Sequence, residues 1–269
     1  MSTSSRTRPA VARPAIPSPA LSLSAALAEQ LATLYQLVQR SEYVFGSPLG
    51  PFFHRARHHH VPRFVYFGPH TAEESVRLGF YAGFDRRDLR GTLALLHFVE
   101  RLALAPDLGQ SLNISFFPLV DVLGLLESRD RALSGLAWQA PQEPELALLA
   151  QDVRLGGYHG FVRVESGLDD DVITVRLRGF EDGAGFRGET DFINSEDPAP
   201  WPVRWETGGP RLKDAGPLSL TDDLPFAPFE LTVRIPARWP DEDYRDAVAL
   251  TLRRFIIRYR SFLAYGQHL

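Results

Sequence analysis

The sequence predicts one α/β domain, a mixed β-sheet sandwiched between helices. Three observations predict it. Short apolar and aromatic runs recur, among them RFVYF, VRLGFY, LNISFF and FELTVRI, each the length of a strand. Longer stretches carry apolar residues on a helical period, notably LRGTLALLHFVERLAL from Leu89 and the closing run Asp241 to Phe262. The two kinds of segment mix along the chain, and such a mixture packs as a sheet with helices on both faces.

The elements follow in order. Residues 1–20 are rich in Ser, Pro, Ala and Arg and are expected to be disordered. Residues 21–269 are expected to form the single domain. Leu21 to Arg40 reads as an amphipathic helix, with Ser24 as N-cap and Leu27, Leu31, Leu34 and Val38 on one face. Glu42 to Phe45 is a short strand. The following SPLGPFFHRARHHHVP reads as a turn-rich connection. Arg63–Phe67, Val76–Tyr81 and Leu112–Phe117 are strands, with the Leu89 helix between the last two. Pro118 to Trp138 has no clean period and reads as a long loop. Glu143 to Val153 is a helix. Gly160–Glu165 and Val172–Leu177 are strands. Gly179 to Pro228 is mostly irregular, and Phe229–Ile235 is a late strand.

Composition excludes several classes. The formal net charge is -4, so no nucleic-acid footprint appears. There is no Cys, which removes disulfides, Cys zinc sites and a thiol nucleophile together. That fits a reducing cytoplasm. No apolar run approaches a membrane span, and the N-terminus lacks the apolar core of a secretory signal. Lys213 is the only Lys; the other basic residues are Arg.

The loop between the strand ending at Tyr81 and the helix from Leu89 holds Asp85, Arg86, Arg87 and Asp88. Open α/β sheets place ligands at such strand ends. The surrounding stretches resemble the zinc carboxypeptidase superfamily, in its bacterial branch related to succinylglutamate desuccinylase and aspartoacylase. RFVYFGP, RLGFYAG with LRGTLALLHFVERL, FFPLVDVLG, QAPQEPEL, YHGFV and FELTVRIP carry the resemblance, in that order. It implies a mixed sheet between helices and one zinc at the strand ends, held by an H-x-x-E motif and a later His.

This sequence departs from that pattern at each implied position. Asp85 stands where the first His is expected and Asp88 where the Glu is. Glu165 stands for the second His. Ala132, Leu133, Ser134 and Gly135 stand where the family has Asp-Leu-Asn-Arg, whose Arg grips a substrate carboxylate. Arg234 replaces the catalytic Glu before Pro236. A guanidinium stays protonated and cannot take a proton from water. Asp85, Asp88 and Glu165 offer oxygen alone, a set that suits Mg²⁺, Mn²⁺ or Ca²⁺ better than zinc.

Three expectations follow. The preferred one is a non-catalytic relative, a binding or regulatory module with no cofactor, an unidentified protein or small-molecule ligand, and Asp85, Asp88 and Glu165 closed by arginines. The second is a metal-dependent hydrolase rebuilt around those carboxylates. The third places true zinc ligands among His54, His58, His70 and His159. The run His58-His59-His60 is expected to be an exposed loop, since adjacent side chains diverge in extended chain. Asp169-Asp170-Asp171 reads as a turn, and neither Ser134-Gly135 nor Ser166-Gly167 has the flanking glycine of a nucleophile elbow.

Overall fold

A computed structural model describes residues 19–72, 75–127, 133, 143–167, 171–178, 200–207 and 229–266. Among these are ten strands and five α-helices. They are α1 (Pro19–Val38), β1 (Val44–Gly46), β2 (Leu49–His54), β3 (Arg57–Val61), β4 (Phe64–Phe67), β5 (Val76–Tyr81), α2 (Leu89–Leu104), β6 (Leu112–Phe117), α3 (Val122–Glu127), α4 (Pro144–Gly156), β7 (Gly160–Gly167), β8 (Ile173–Arg178), β9 (Val203–Thr207), β10 (Phe229–Pro236) and α5 (Asp241–Gly266). Eight strands form one sheet in the order β1-β4-β6-β5-β7-β10-β8-β9. The centre, β6-β5-β7-β10, is parallel; β4 joins it antiparallel on one side and β8 on the other. β5 and β6 are buried on both faces over most of their length and so are largely apolar, which is why they were legible as short continuous runs.

Register sorts the two faces. Tyr66, Ile114, Leu78 and Gly160 lie in one row across the sheet, and Phe64, Phe116, Phe80, Val162 and Leu231 in the next. This face takes α1, α2 and α5: Phe80 meets Phe98 of α2 and Phe255 of α5, and Phe64 meets Tyr35 of α1. The other face carries Tyr81 stacked on Phe117 at 4.6 Å, with Phe161 and Tyr158 beside them. There α4 is tied down by Asp152, which accepts from Arg63 at 2.5 Å and from the Tyr158 hydroxyl at 2.8 Å. The Arg63 guanidinium also donates to Ser47, so the ion pair is fully engaged. Further along the same face β7, β10, β8 and β9 turn charged, with Arg163, Glu165, Arg234, Arg176 and Glu206 in place of aromatics.

Four local expectations are corrected. The stretch read as a turn-rich connection is a β-hairpin, β2 paired with β3. Its two-residue turn, Arg55-Ala56, has φ 47 and 61. Asn-Gly ordinarily announces such a turn, and Arg-Ala gives no signal. Glu127 braces it, 2.7 Å from His54 and 3.3 Å from Arg55. His58-His59-His60 therefore lies on a strand, with His58 edge-on to Phe53 and His59 against Phe52. The long loop from Pro118 contains α3, whose six residues are too few to show a period. Ser24 is not an N-cap, because α1 already includes Pro19. Most of the stretch expected to be disordered, and of Gly179 to Pro228, lies outside the described residues, although β9 is found within the latter.

Candidate functional site

The implied site sits at the carboxyl ends of β5, β7 and β10. After Tyr81 the chain turns at Gly83, with φ +70. A Cβ there would lie 2.9 Å from the Leu119 Cα and the Pro118 carbonyl, so only glycine lets the chain after β6 come this close. Three amides seal the approach: Val120 donates to Ala82, Asp121 to Gly83 at 2.8 Å, and Leu133 to Phe84 at 2.8 Å. The last bond sets Leu133, the middle of the substituted Asp-Leu-Asn-Arg segment, beside the site loop. Ser134 and Gly135 lie outside the described residues.

Each of the three candidate carboxylates has its own closure. Asp85 is gripped by Arg87, with the guanidinium Nη2 2.6 Å from Oδ2 and Nε 2.9 Å from Oδ1. The Arg87 amide also donates to Oδ1 at 2.9 Å. The Arg87 guanidinium holds the Asp85 carboxyl below the ordinary carboxylate range, against a smaller opposing effect of burial. Asp88 precedes α2 without capping it by a side-chain bond. It reaches across to β7 instead, accepting the Ser166 amide at 2.7 Å and the Ser166 hydroxyl at 2.6 Å. The Ser166 oxygen lies 3.1 Å from the hydroxyl of Tyr244 in α5.

Glu165 lies between two arginines. Arg163 Nη2 is 2.7 Å from Oε2, and Arg234 Nε is 2.6 Å from Oε1. Parallel register makes this geometry. Glu165 pairs with Arg234 across β7 and β10, and Arg163 is two residues back on the same face. Arg163 also lies over the Phe84 ring at 4.4 Å, which ties β7 to the site loop. Because side chains alternate along a strand, Ser166 and Glu165 leave β7 on opposite sides. Asp88 follows Ser166, and the arginines follow Glu165.

Among the described residues, no group of three or more His, Asp or Glu is placed to hold a metal ion. The four histidines of the third expectation do not meet. His54 and His58 are on the hairpin, and His54 pairs with Glu127. His70 lines an open groove of about 910 Å³ with Tyr43, Phe67, Arg77 and Asn113, at the opposite end of the strands. His159 stands at the start of β7, where its Nδ1 accepts the Arg77 amide at 3.1 Å. Burial lowers its pKa below the ordinary value. Sequence reasoning missed Ser166 and Tyr244 as partners of Asp88, and Phe84 beneath Arg163. The one available signal was the position of Ser166 directly after Glu165 on a strand.

The layered sheet with its loops gathered at the parallel strand ends defines a zinc carboxypeptidase-like α/β fold, and solved structures of that class superpose on it. No protein-family model matches this sequence, and no curated protein matches it. A metallo-carboxypeptidase from Burkholderia cenocepacia aligns over 87% of this chain and 69% of its own, with TM-score 0.65 and 17% identity. One from Pseudomonas aeruginosa, in complex with (2-guanidinoethylmercapto)succinic acid, aligns over the same shares with TM-score 0.63 and 12% identity. Bovine thrombin-activatable fibrinolysis inhibitor matches over 89% of this chain and 97% of its own, with TM-score 0.58 and 12% identity. At these identities the likeness is one of fold. No helix among the described residues is long and apolar enough to cross a membrane.

Proposed function

We propose that this chain is a non-catalytic member of the zinc carboxypeptidase fold, close by motif order to the desuccinylase and aspartoacylase branch, and that it binds or regulates rather than hydrolyses. The observation that supports this reading is the closure of the three carboxylates: Asp85 on Arg87, Asp88 on Ser166, and Glu165 between Arg163 and Arg234. A catalytic zinc takes three protein ligands, imidazoles prominent among them, and keeps an open position for water. Here the donor set has no imidazole, and a cation brought to Glu165 would meet two guanidinium groups. These residues do not fit zinc. A harder cation such as Mg²⁺, Mn²⁺ or Ca²⁺ would prefer the oxygens but meets the same repulsion.

The chemistry of hydrolysis leads the same way. An activated water needs a base, and Arg234 holds its proton at any working pH. The reading therefore assigns no catalytic residue. Its ligand is a protein or a small molecule, with no nucleic acid and no membrane involved, and a sequence without Cys is compatible with a reducing cytoplasm.

Two measurements test the reading together. Dialysed protein without an added His tag is analysed for metals, then assayed on N-acyl amino acids and C-terminal peptides with Zn²⁺, Mn²⁺ or Mg²⁺ added. The expected result is no stoichiometric metal and no turnover. One zinc per chain that resists dialysis, or metal-dependent turnover abolished by Asp85→Ala, would overturn it.

A further inference from the structure

Behind the site, two buried carboxylates meet at one helix end. Asp121 is 1% exposed and directly precedes α3; its Oδ1 accepts the Gly124 amide at 2.9 Å. Glu145 is 0% exposed in the first turn of α4, and its Oε1 accepts the Leu123 amide at 3.2 Å. Two acids thus satisfy successive amides of the first turn of α3. Gly124 permits the arrangement, since a Cβ there would lie 1.9 Å from Asp121 Oδ2. Among the described residues, the second oxygen of Glu145 is enclosed and has no hydrogen-bond partner. Among the described residues, the charged groups that bear on Glu145 are Glu143, ahead of α4, and Asp121, ahead of α3; both are acidic. Its nearest chain neighbour Leu146 and the facing Leu123 are both buried apolar residues.

A carboxylate so placed is costly, because it has lost water, lacks a partner for one oxygen and faces like charge. Burial above all, helped by Glu143 and Asp121 and opposed by the backbone amides of Glu145 and Leu123, pushes the Glu145 carboxyl up to about 7. The helix that Glu145 holds is joined to the site loop. Residues just ahead of α3 donate to Ala82 and Gly83, and Leu133 beyond it donates to Phe84.

We infer that Glu145 is a proton-operated latch. Neutral, it seats α3 against α4; ionised, it loosens α3 and with it the loop Ala82–Phe84. The device stands on the buried pair alone and holds whether or not the site is catalytic. The event is the ionisation of Glu145, opposed by its burial and by the neighbouring Glu143 and Asp121. The folded form holds a proton that the unfolded chain gives up at the ordinary value of 4.5. The stabilisation is therefore fully present below that value and is lost as pH rises through about 7.

Backbone hydrogen exchange of the full chain, corrected for intrinsic rates and followed from pH 5.5 to 8.5, reads the latch in peptides spanning 118–127. The wild type is expected to lose protection there by up to about tenfold per pH unit above the midpoint, the limit for one proton. Glu145→Gln keeps the acceptor without the charge and should hold protection flat. Asp121→Asn, which keeps the bond to Gly124 but removes the facing charge, should move the wild-type midpoint to lower pH. If Glu145→Gln fails to fold, this shift alone decides. Protection that does not change with pH in the wild type, equal pH dependence in Glu145→Gln, or an unmoved midpoint in Asp121→Asn each overturns the latch.

Discussion

Asp85 and Asp88 lie three residues apart in one loop, yet their removal should have very different consequences. Asp88→Ala deletes two short hydrogen bonds to Ser166, at 2.6 and 2.7 Å, made in a partly buried setting. Bonds to a charged acceptor contribute about 1.5–3 kcal/mol each, and a half-buried amide left unpaired adds to the loss. Some of this returns if Ser166 turns fully to Tyr244. A net destabilisation of about 3 kcal/mol is expected, on the order of a quarter of a typical domain's stability. Asp85→Ala removes an ion pair to Arg87, whose side chain is 59% exposed and two residues away. Exposed pairs of this kind contribute about 0–1 kcal/mol. Urea unfolding with the slope held common to all variants measures both. The cycle Asp88→Ala, Ser166→Ala should show a coupling of about 1–2 kcal/mol. Equal costs for the two Asp variants, or a coupling near zero, would refute the reasoning, since Asp88 would then be as solvated as Asp85.

Two further tests are simpler. In Gly68→Ala the new Cβ would lie 1.9 Å from the Gly109 carbonyl oxygen, which is backbone and cannot swing aside, so a loss of about 2–3 kcal/mol is expected in thermal or urea unfolding. Gly157→Ala meets nothing within 4 Å but must keep φ +58, which costs about 1 kcal/mol, and the order of the two variants is the check. His159, whose pKa burial holds below its ordinary 6.5, contributes stability that is present above that value and is lost as pH falls through the lowered one. Melting temperatures of His159→Gln minus wild type, taken from pH 7.5 to 5, should therefore rise on the acid side; the difference matters, because Glu145 drives the raw curves the other way.

The parts of the fold legible in sequence are those where one residue's environment depends only on its period. β5 and β6 are buried on both faces over most of their length, β10 alternates buried apolar with half-buried residues, and α2 and α5 carry a continuous apolar stripe, so their patterns were sufficient. The hairpin β2–β3 was not legible, because its turn is made by Arg55-Ala56 in a backbone state that those residues rarely announce. α3 was hidden by its length, and its caps come from Asp121 beside it and from Glu145, which is 22 residues from Leu123. The site divides the same way. That Asp85, Asp88, Glu165 and Arg234 stand at the implied positions could be read from the order of stretches. Which partner closes each depends on strand register: Glu165 meets Arg234 only because β7 and β10 run parallel in one alignment. Ser166 and Tyr244 are 78 residues apart, and nothing local to either signals the other.

The pairing of β7 with β10 runs through eight consecutive partners from Phe229 beside Gly160 to Pro236 beside Gly167. Apolar packing alone tolerates some sliding of two Val-rich strands, since one branched side chain resembles the next. A slip of one residue here would set Glu165 beside Val233 or Ile235 and turn Arg163 toward the layer that holds Phe98 and Phe255. The cost of stranding those charges in hydrocarbon makes each neighbouring alignment untenable. The arginine–glutamate–arginine group thereby serves as a key cut into the middle of the sheet, selecting a single alignment of its two central strands during folding.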